Sequence, residues 1–380
     1  MPFSRISKEA IKSIGFGEGE GATFGEIFLN AKKIPIAATA KTVIQIFFID
    51  IVYNTTMSLS VGIVGLPNVG KSTLFNALLK KQQAYIANFP FATIEPNIGI
   101  VPVSDERLEK LAKTVATSRE PKLTREESLP PIVPATVEFK DIAGLIEGAS
   151  KGEGLGNKFL SHIRECDAVC YVLRAFTDPD IIKQGVKDPK SDFEVLKIEL
   201  DLADLEHPDA PPFSKKPFLI ALNVDEEDLR NEMEIERKYA QELGVNQDQV
   251  VAVCAKTEAE LTGLTEAEQR EYLEALGTRH SALDRLIKKA FKTLGLITFL
   301  TAGEKEVRAW VIKDGANAQE AAGVIHTDFI KHFIKADICD FDDFISLGGW
   351  KPTRDAGNVR SEGRDYLMRD GDVVEFRIGQ

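Results

Sequence analysis

The pattern of apolar and polar positions divides the chain into segments. Residues 59–64 form a short apolar run, which a glycine-rich loop separates from a segment with helical spacing at 73–79. A short apolar run bounded by turn residues predicts a buried strand, and apolar positions three or four apart predict an amphipathic helix. Further strand-like runs follow at 135–140, 168–173, 217–222 and 250–253. This succession predicts an α/β domain.

The pattern changes near residue 296. A helix is predicted at 281–294, and only short apolar or alternating runs follow it, at 299–302, 307–312 and 373–378. Runs of this kind predict the strands of a small mixed sheet, accompanied here by one or two helices. We therefore expect three parts, an N-terminal extension (1–56), an α/β domain (57–296) and a small α+β domain (297–380).

The extension contains the most apolar segment of the chain, at 34–53. Lys41, Gln45 and Asp50 interrupt that segment, whereas a membrane-spanning helix needs about 20 mostly apolar residues. The extension also lacks the pattern of a secretory signal. We predict no membrane association, and we favour an appended extension over an added structural element or an organelle address.

Net charge and cysteine content limit which partners and which cellular compartment we expect. Acidic residues outnumber basic ones by 59 to 47, and the resulting net charge of −12 argues against broad electrostatic binding to nucleic acid. A contact with RNA would need a local patch, for which Lys331, His332 and Lys335 are candidates. The four cysteines show no zinc-binding spacing and fit a reducing cytosol, so we expect a cytoplasmic protein.

Residues 65–72, Gly-Leu-Pro-Asn-Val-Gly-Lys-Ser, match the pattern G-x-x-x-x-G-K-[ST] between the first predicted strand and helix. The glycines allow consecutive backbone N–H groups to surround phosphate oxygens, and the helix N-terminus favours negative charge. Lys71 would contact the β- and γ-phosphates, and the Ser72 hydroxyl would bind Mg²⁺. The loop therefore predicts binding of a nucleoside triphosphate.

Two later segments are candidates for sensing the γ-phosphate. Prolines interrupt residues 88–97 and predict a loop, in which Thr93 is the candidate to complete the Mg²⁺ shell. In a D-x-x-G element, Asp141 would hold a metal-bound water, and the Gly144 N–H would meet the γ-phosphate. Leu145 stands where Ras-like enzymes have a glutamine that orients the attacking water. Hydrolysis should therefore be slow alone, or depend on another polar group or a monovalent cation.

The strand at 217–222 ends in Asn-Val-Asp-Glu, where GTPases have the guanine-binding motif N-K-x-D. Val224 replaces the lysine, and the longer side chain of Glu226 replaces the aspartate. The aspartate of that motif accepts hydrogen bonds from two donors of guanine, and adenine lacks this donor pair. We therefore predict a preference for ATP. The alternatives are an Obg-type GTPase that tolerates the change, and a nucleotide-stabilised scaffold protein with incidental hydrolysis.

Together these motifs resemble those of one family. The segments GLPNVGKS, NFPFATIEPN, DIAGLIEGASKGEGLGNKFLSHIRE, NVDE and VRAWVIKDGANAQEAAGVIHTDFIKHFIKAD are similar to the YchF subfamily of Obg-like ATPases. The resemblance covers nearly everything from Met57 to Gln380. It implies a Ras-like P-loop NTPase domain with a mostly parallel sheet, a C-terminal TGS domain of β-grasp-like fold, and association with the ribosome.

The resemblance also implies the residues of the site. The nucleotide would be bound by Asn68, Val69, Gly70, Lys71, Ser72, Thr73, Asn223, Val224 and Glu226. Mg²⁺ would be held by Ser72, Thr93 and Asp141, and Asn68 is a candidate ligand for K⁺. Lys71, Thr93 and Gly144 would act on the reacting phosphate.

One departure from the family affects the expected partner. Members of the family insert a long helical hairpin before the strand at 217–222, but this chain has only a proline-rich link at 206–215. A link of this length is too short for a pair of helices. We expect nucleotide binding to survive, whereas binding of the ribosome or of RNA loses one contact surface.

Overall fold

The structure is a computed structural model that describes residues 59–88, 97–118, 129–142, 155–177, 188–278 and 280–379. The extension at 1–56 and the candidate residues Thr93 and Gly144 lie outside these ranges, as does Leu145. The predictions made for them therefore remain predictions.

Within the described ranges, the first seven strands are β1 (Ser60–Val64), β2 (Ile98–Pro102), β3 (Ile132–Val133), β4 (Thr136–Asp141), β5 (Ala168–Arg174), β6 (Phe218–Asn223) and β7 (Val250–Val253). All except β3 form a six-stranded sheet in the order β2-β4-β1-β5-β6-β7. Neighbouring strands are parallel except for the antiparallel pair of β2 and β4. The mostly parallel sheet expected from the sequence is confirmed.

Helices cover both faces of this sheet. They are α1 (Lys71–Asn88), α2 (Glu106–Thr117), α3 (Leu155–Arg164), α4 (Pro189–Glu206), α5 (Glu232–Leu243), α6 (Ala255–Leu261), α7 (Glu266–Ala275) and α8 (Ala282–Thr293). Apolar side chains of α1, α2 and α8 pack in one cluster with the sheet, and those of α3, α4 and α5 pack in a second. Because both faces are covered, the central strands are continuous apolar runs rather than alternating ones.

The second sheet is mixed and also has six strands. To β3 it adds β8 (Leu296–Ala302), β9 (Val307–Lys313), β10 (Phe333–Cys339), β11 (Arg360–Glu362) and β12 (Val373–Ile378), in the order β11-β10-β12-β8-β9-β3. Four short helices accompany these strands, where the sequence predicted one or two: α9 (Ala318–Ile325), α10 (Thr327–His332), α11 (Phe341–Leu347) and α12 (Trp350–Asp355). The predicted small α+β architecture is confirmed.

The two sheets are joined by backbone pairing and by side chains. The edge strand β3 comes from the segment that precedes β4, yet it pairs in parallel with β9 of the second sheet. Arg107 of α2 donates from Nη1 to Asp370 Oδ2 at 2.9 Å and from Nη2 to Thr298 Oγ1 at 2.9 Å. One apolar cluster also continues from β1 through α2 and α8 to β8 and β12. These contacts connect the part that contains the first sheet to the C-terminal part.

The link between α4 and β6 contains no helical hairpin. Only a single 3-10 turn, Phe213–Lys215, lies between Glu206 and Phe218, a stretch that the structure describes in full. The Asp204 carboxylate accepts hydrogen bonds from the backbone N–H groups of Phe213 (2.8 Å) and Ser214 (3.1 Å), and the Phe213 side chain is buried. The short link is thus fastened to the end of α4.

Within the described ranges, we find no helix that combines the length and the apolar character needed to cross a membrane.

Glu258 connects α6 to the beginning of α8. Its Oε1 accepts a hydrogen bond from the Ala282 N–H at 2.7 Å, and its side chain is 3% exposed. Burial raises the pKa of Glu258 to about 7, although the N–H groups of Ala282 and Leu283 oppose the shift. The folded protein therefore binds a proton at this carboxyl group more readily than the unfolded chain does.

We expect Glu258→Gln to change how stability depends on pH. The raised pKa stabilises the wild-type fold below pH 4.5, and this contribution is lost as the pH rises toward and past 7, whereas glutamine does not titrate. Between pH 4.5 and 8 the wild-type free energy of unfolding should fall by about 3 kcal/mol relative to the variant. Urea denaturation at both pH values measures this difference. Glu260→Gln, which removes an exposed carboxylate from the same helix, is the control. Parallel pH profiles of wild type and Glu258→Gln would contradict the raised pKa of Glu258.

Candidate nucleotide-binding site

The loop at 65–70 joins the carboxyl end of β1 to the first turn of α1. Two of its residues have left-handed backbone conformations, Asn68 with φ 63° and Gly70 with φ 97°. Turns of this kind orient successive backbone N–H groups toward one side, where they can surround an anion. The local conformation therefore suits a phosphate-binding loop.

The Asn223 side chain fixes this loop from the neighbouring strand end. Its Nδ2 donates to Val69 O at 2.9 Å, and its Oδ1 accepts from the Ala255 N–H at 3.0 Å. The side chain is buried, so both bonds are protected from water. Asn223 was expected to contact the nucleotide, and in the structure its amide joins the phosphate-binding loop to the start of α6.

Gly70 is required at its position for a steric reason besides its φ. A Cβ at this residue would lie 2.3 Å from Asn223 Nδ2, which is closer than such atoms approach in proteins. The glycine therefore allows the loop backbone to reach the Asn223 amide.

Lys71 and Asp141 form the charged centre of the site. The buried Lys71 side chain donates from Nζ to Leu66 O at 2.7 Å, which holds the ammonium over its own loop. Burial lowers the pKa of Lys71, and the Asp141 charge opposes this shift. Burial likewise raises the pKa of Asp141, which lies at the end of β4, and Lys71 opposes that shift. Each charge thus favours the ionised form of the other.

The first turn of α1 presents hydroxyl groups and no acidic residue. Ser72 and Thr73 are exposed there, and the helix has no carboxylate in its first turn. This arrangement suits an anion at the helix N-terminus. Val69 is fully buried in the core and can offer a ligand only its main chain.

The residues expected at the base follow β6. Val224 is 2% exposed, with its side chain in the core and its N–H donating to Val253 O at 2.9 Å. Asp225 accepts through Oδ2 from the Thr177 N–H (2.9 Å) and from Thr177 Oγ1 (2.7 Å). The Asp225 carboxylate therefore holds the loop after β5.

Glu226 has two protein donors that the sequence did not reveal. Its Oε2 accepts from Thr257 Oγ1 at 3.1 Å, and its Oε1 accepts from Tyr272 OH at 3.3 Å. Thr257 lies on α6 and Tyr272 on α7, so the contact depends on how these two helices pack. Spacing in the sequence carried no signal for Tyr272, which is 46 residues from Glu226.

The side chains present fit a magnesium ion that is bound mainly by phosphates and water. In the described part of the chain, no three His, Cys, Asp or Glu side chains cluster closely enough to hold a metal by themselves. Mg²⁺ at nucleotide sites commonly uses one or two protein ligands together with phosphate oxygens. Among the described residues, the exposed hydroxyl of Ser72 and the carboxylate of Asp141 at the end of β4 are candidate ligands for it.

Comparison with known proteins identifies the family. Residues 60–224 match the family model MMR_HSR1, described as a 50S ribosome-binding GTPase, and residues 296–379 match YchF-GTPase_C, described as a protein of unknown function. The Bacillus subtilis (strain 168) protein named ribosome-binding ATPase YchF is 42% identical over 380 residues, covering 85% of this chain and 100% of the relative. The protein of the same name from Escherichia coli O157:H7 is 40% identical over 374 residues, covering 84% and 99%.

The chain belongs to the YchF family. A solved structure, that of the Schizosaccharomyces pombe YchF GTPase, is 32% identical with a TM-score of 0.68 and covers 84% of this chain and 98% of that chain. The resemblance inferred from the motifs is thereby confirmed, as is the combination of a P-loop domain with a C-terminal YchF domain.

The extent of these matches agrees with the shortened link. The alignment to the Bacillus subtilis YchF protein spans 380 positions but uses only 85% of the 380 residues of this chain. The relative therefore contains residues that this chain lacks, in agreement with the absence of a helical hairpin between α4 and β6.

We expect Gly70→Ala to disrupt the site more than an ordinary glycine replacement would. Its Cβ must displace the Asn223 amide and leave Val69 O without its donor, an effect that adds to the backbone strain. The free energy of unfolding should fall by at least about 2 kcal/mol, and nucleotide affinity should fall with it. Thermal denaturation and calorimetry measure the two effects.

Gly244→Ala is the matched control for that substitution. Gly244 also has a positive φ, of 68°, but nothing lies within 4 Å of the place that a Cβ would occupy there. Only the strain of about 1 to 2 kcal/mol should remain, and nucleotide binding should be unaffected. Equal losses in both variants would show that the contact with Asn223 has no particular role.

Proposed function

We propose that this protein is an ATPase with a low intrinsic rate that binds the ribosome and changes this binding with its nucleotide state. The proposal rests on the loop between β1 and α1. Asn68 and Gly70 give this loop its left-handed turns, and the Asn223 amide holds it through Val69 O. Together with the buried Lys71 ammonium, the loop forms a rigid receptor for a triphosphate. The names of the bacterial relatives, ribosome-binding ATPase YchF, support the nucleotide and the partner.

The preference for ATP rests on Glu226. Its two carboxylate oxygens accept hydrogen bonds from Thr257 and Tyr272, which fix the plane of the carboxylate, whereas guanine recognition requires both oxygens to be aligned with its donor pair. Adenine does not present that pair of donors, so its binding does not require two hydrogen bonds to one carboxylate. We therefore favour ATP over GTP as the substrate.

Hydrolysis would break the bond between the β- and γ-phosphates. Lys71 and Mg²⁺ would stabilise the charge that develops, with Ser72, Thr93 and Asp141 as metal ligands or holders of metal-bound water, and Gly144 as the sensor of the γ-phosphate. Asn68 is the proposed ligand for K⁺. Because Leu145 cannot orient water as a glutamine does, the intrinsic rate should be low.

The C-terminal part, residues 297–380, is proposed to be a TGS domain that contributes to ribosome binding in the cytoplasm. Of the candidate RNA-contacting residues, Lys331 and His332 are exposed at the end of α10. Lys335 is bound within the domain, since its Nζ lies 2.8 Å from Asp337 Oδ1 and donates to Ser361 Oγ at 2.8 Å. Lys331 is therefore the better candidate for an external contact.

Calorimetry with the full-length protein tests the nucleotide specificity. We expect a lower Kd for Mg·ATP than for Mg·GTP. Lys71→Ala should weaken ATP binding by about ten-fold or more, because it removes a charge-assisted hydrogen-bond donor to the phosphates. Lys113→Ala, at an exposed position of α2, is the matched control and should leave the Kd unchanged. Tighter binding of GTP, or binding of neither nucleotide, would refute the proposed activity.

Ribosome co-sedimentation tests the partner. We expect the full-length protein to pellet with ribosomes, and the fraction bound should differ between ADP and a non-hydrolysable ATP analogue. Lys331→Glu should reduce binding because it reverses a charge that would face RNA phosphates. Lys113→Glu, which makes the same charge reversal on α2, should have a smaller effect. If the protein does not pellet in either nucleotide state, the ribosome is not its partner.

A further inference from the structure

We propose that Tyr272 and Thr257 are positioning residues that set the purine preference by holding the Glu226 carboxylate in place. This inference rests on the proposed function, because it concerns the base-binding end of the same site. It extends that function by assigning specificity to two residues outside the N-x-x-E segment.

The geometry places one hydroxyl donor at each oxygen of the carboxylate. Glu226 is the first residue of the 3-10 turn Glu226–Asn231 and lies three positions after Asn223, whose side chain contacts the phosphate-binding loop. Thr257 donates to Oε2 at 3.1 Å and Tyr272 donates to Oε1 at 3.3 Å. A carboxylate held at both oxygens by groups from two helices has a defined orientation.

Packing fixes the two donors themselves. Thr257 is 1% exposed, so its hydroxyl has no solvent to turn toward. Tyr272 is half-buried, and its ring packs against the apolar cluster between α4, α5 and the first sheet. Moving Glu226 away would leave the Thr257 hydroxyl buried without its partner, which is costly. The carboxylate is therefore expected to stay where these hydroxyls hold it.

This restraint affects guanine and adenine differently. Guanine presents two adjacent N–H donors that need the two oxygens of one carboxylate in a common plane, whereas adenine presents one amino donor beside a ring acceptor. Each oxygen keeps a second lone pair, but the two hydroxyls fix the plane of the carboxylate, so a guanine fork in any other plane must bend or break the bonds to Thr257 and Tyr272. GTP binding bears this cost and ATP binding does not, so the two hydroxyls favour ATP.

Removal of either hydroxyl should relax the preference. For Tyr272→Phe and Thr257→Val in the full-length protein, calorimetry with Mg·GTP should give a Kd about five-fold lower than wild type, which corresponds to one released hydrogen bond. The Kd for Mg·ATP should change by less than about two-fold. The quantity measured is the ratio of the two dissociation constants, which a general loss of stability does not shift.

Two substitutions of the same kind serve as controls. Tyr239→Phe removes a hydroxyl from another half-buried tyrosine beside the same apolar cluster. Thr114→Val removes a buried threonine hydroxyl that donates to Lys110 O within α2. Neither residue contacts Glu226, so both variants should retain the wild-type ratio.

The Glu226→Ala background decides whether Tyr272 acts through this carboxylate. If it does, adding Tyr272→Phe to Glu226→Ala should leave the ratio unchanged. Three outcomes would overturn the inference. The ratio could be unaltered in both Tyr272→Phe and Thr257→Val, it could shift equally in Tyr239→Phe, or its shift could persist without Glu226. A wild-type protein that prefers ATP while these variants fail to respond refutes the inference alone, whereas a wild type that binds neither nucleotide refutes the proposed function as well.

Discussion

The Asn223 side-chain amide joins three segments that are distant in sequence, and the geometry of the site depends on it. One end of the amide binds the carbonyl of Val69 in the phosphate-binding loop, and the other accepts from the backbone of Ala255 at the start of α6. Because a single planar group makes both bonds while buried, the loop and α6 have a fixed separation. Gly70 provides the space for this contact.

The contact between Asn223 and Ala255 also links the phosphate-binding loop to the helix that holds Glu226. From Ala255, α6 continues to Thr257, which holds Glu226, and to Glu258, which receives the N-terminus of α8. The loop at 65–70 and Glu226, which we propose to lie at the base, are therefore both attached to one short helix. Its contact with α8 extends this connection to the C-terminal part, because apolar residues of α8 lie in the cluster that reaches β8 and β12.

This continuity offers a physical path between nucleotide binding and the C-terminal surface. Arg107 binds both Thr298 and Asp370, and β3 adds a strand from the nucleotide-binding part to the second sheet. The shortened link after α4 does not interrupt these contacts, since Asp204 fastens it on the other face of the first sheet. A partner that contacts the C-terminal part would thus bind a surface that is connected to α2 and α8 by these contacts.

The sequence by itself determined the strand, loop and helix around residues 65–72, because their conformations depend on neighbouring residues and on glycine. It also determined the order of the central strands along the chain, since burial on both faces makes each of them a continuous apolar run. The lack of a hairpin followed from the length of the link alone. The family followed from these local motifs, and comparison with relatives confirmed it.

Only the tertiary structure decided what the polar side chains contact. The structural use of the Asn223 amide, the pairing of β3 with β9, and the donation from Thr257 and Tyr272 to Glu226 all join residues that are far apart in the chain. Such contacts arise from how helices pack on the sheet, and neither periodicity nor motif spacing records them. For the same reason, the number of short helices beyond β9 exceeded the prediction, because packing against the second sheet stabilises segments too short to show a helical period.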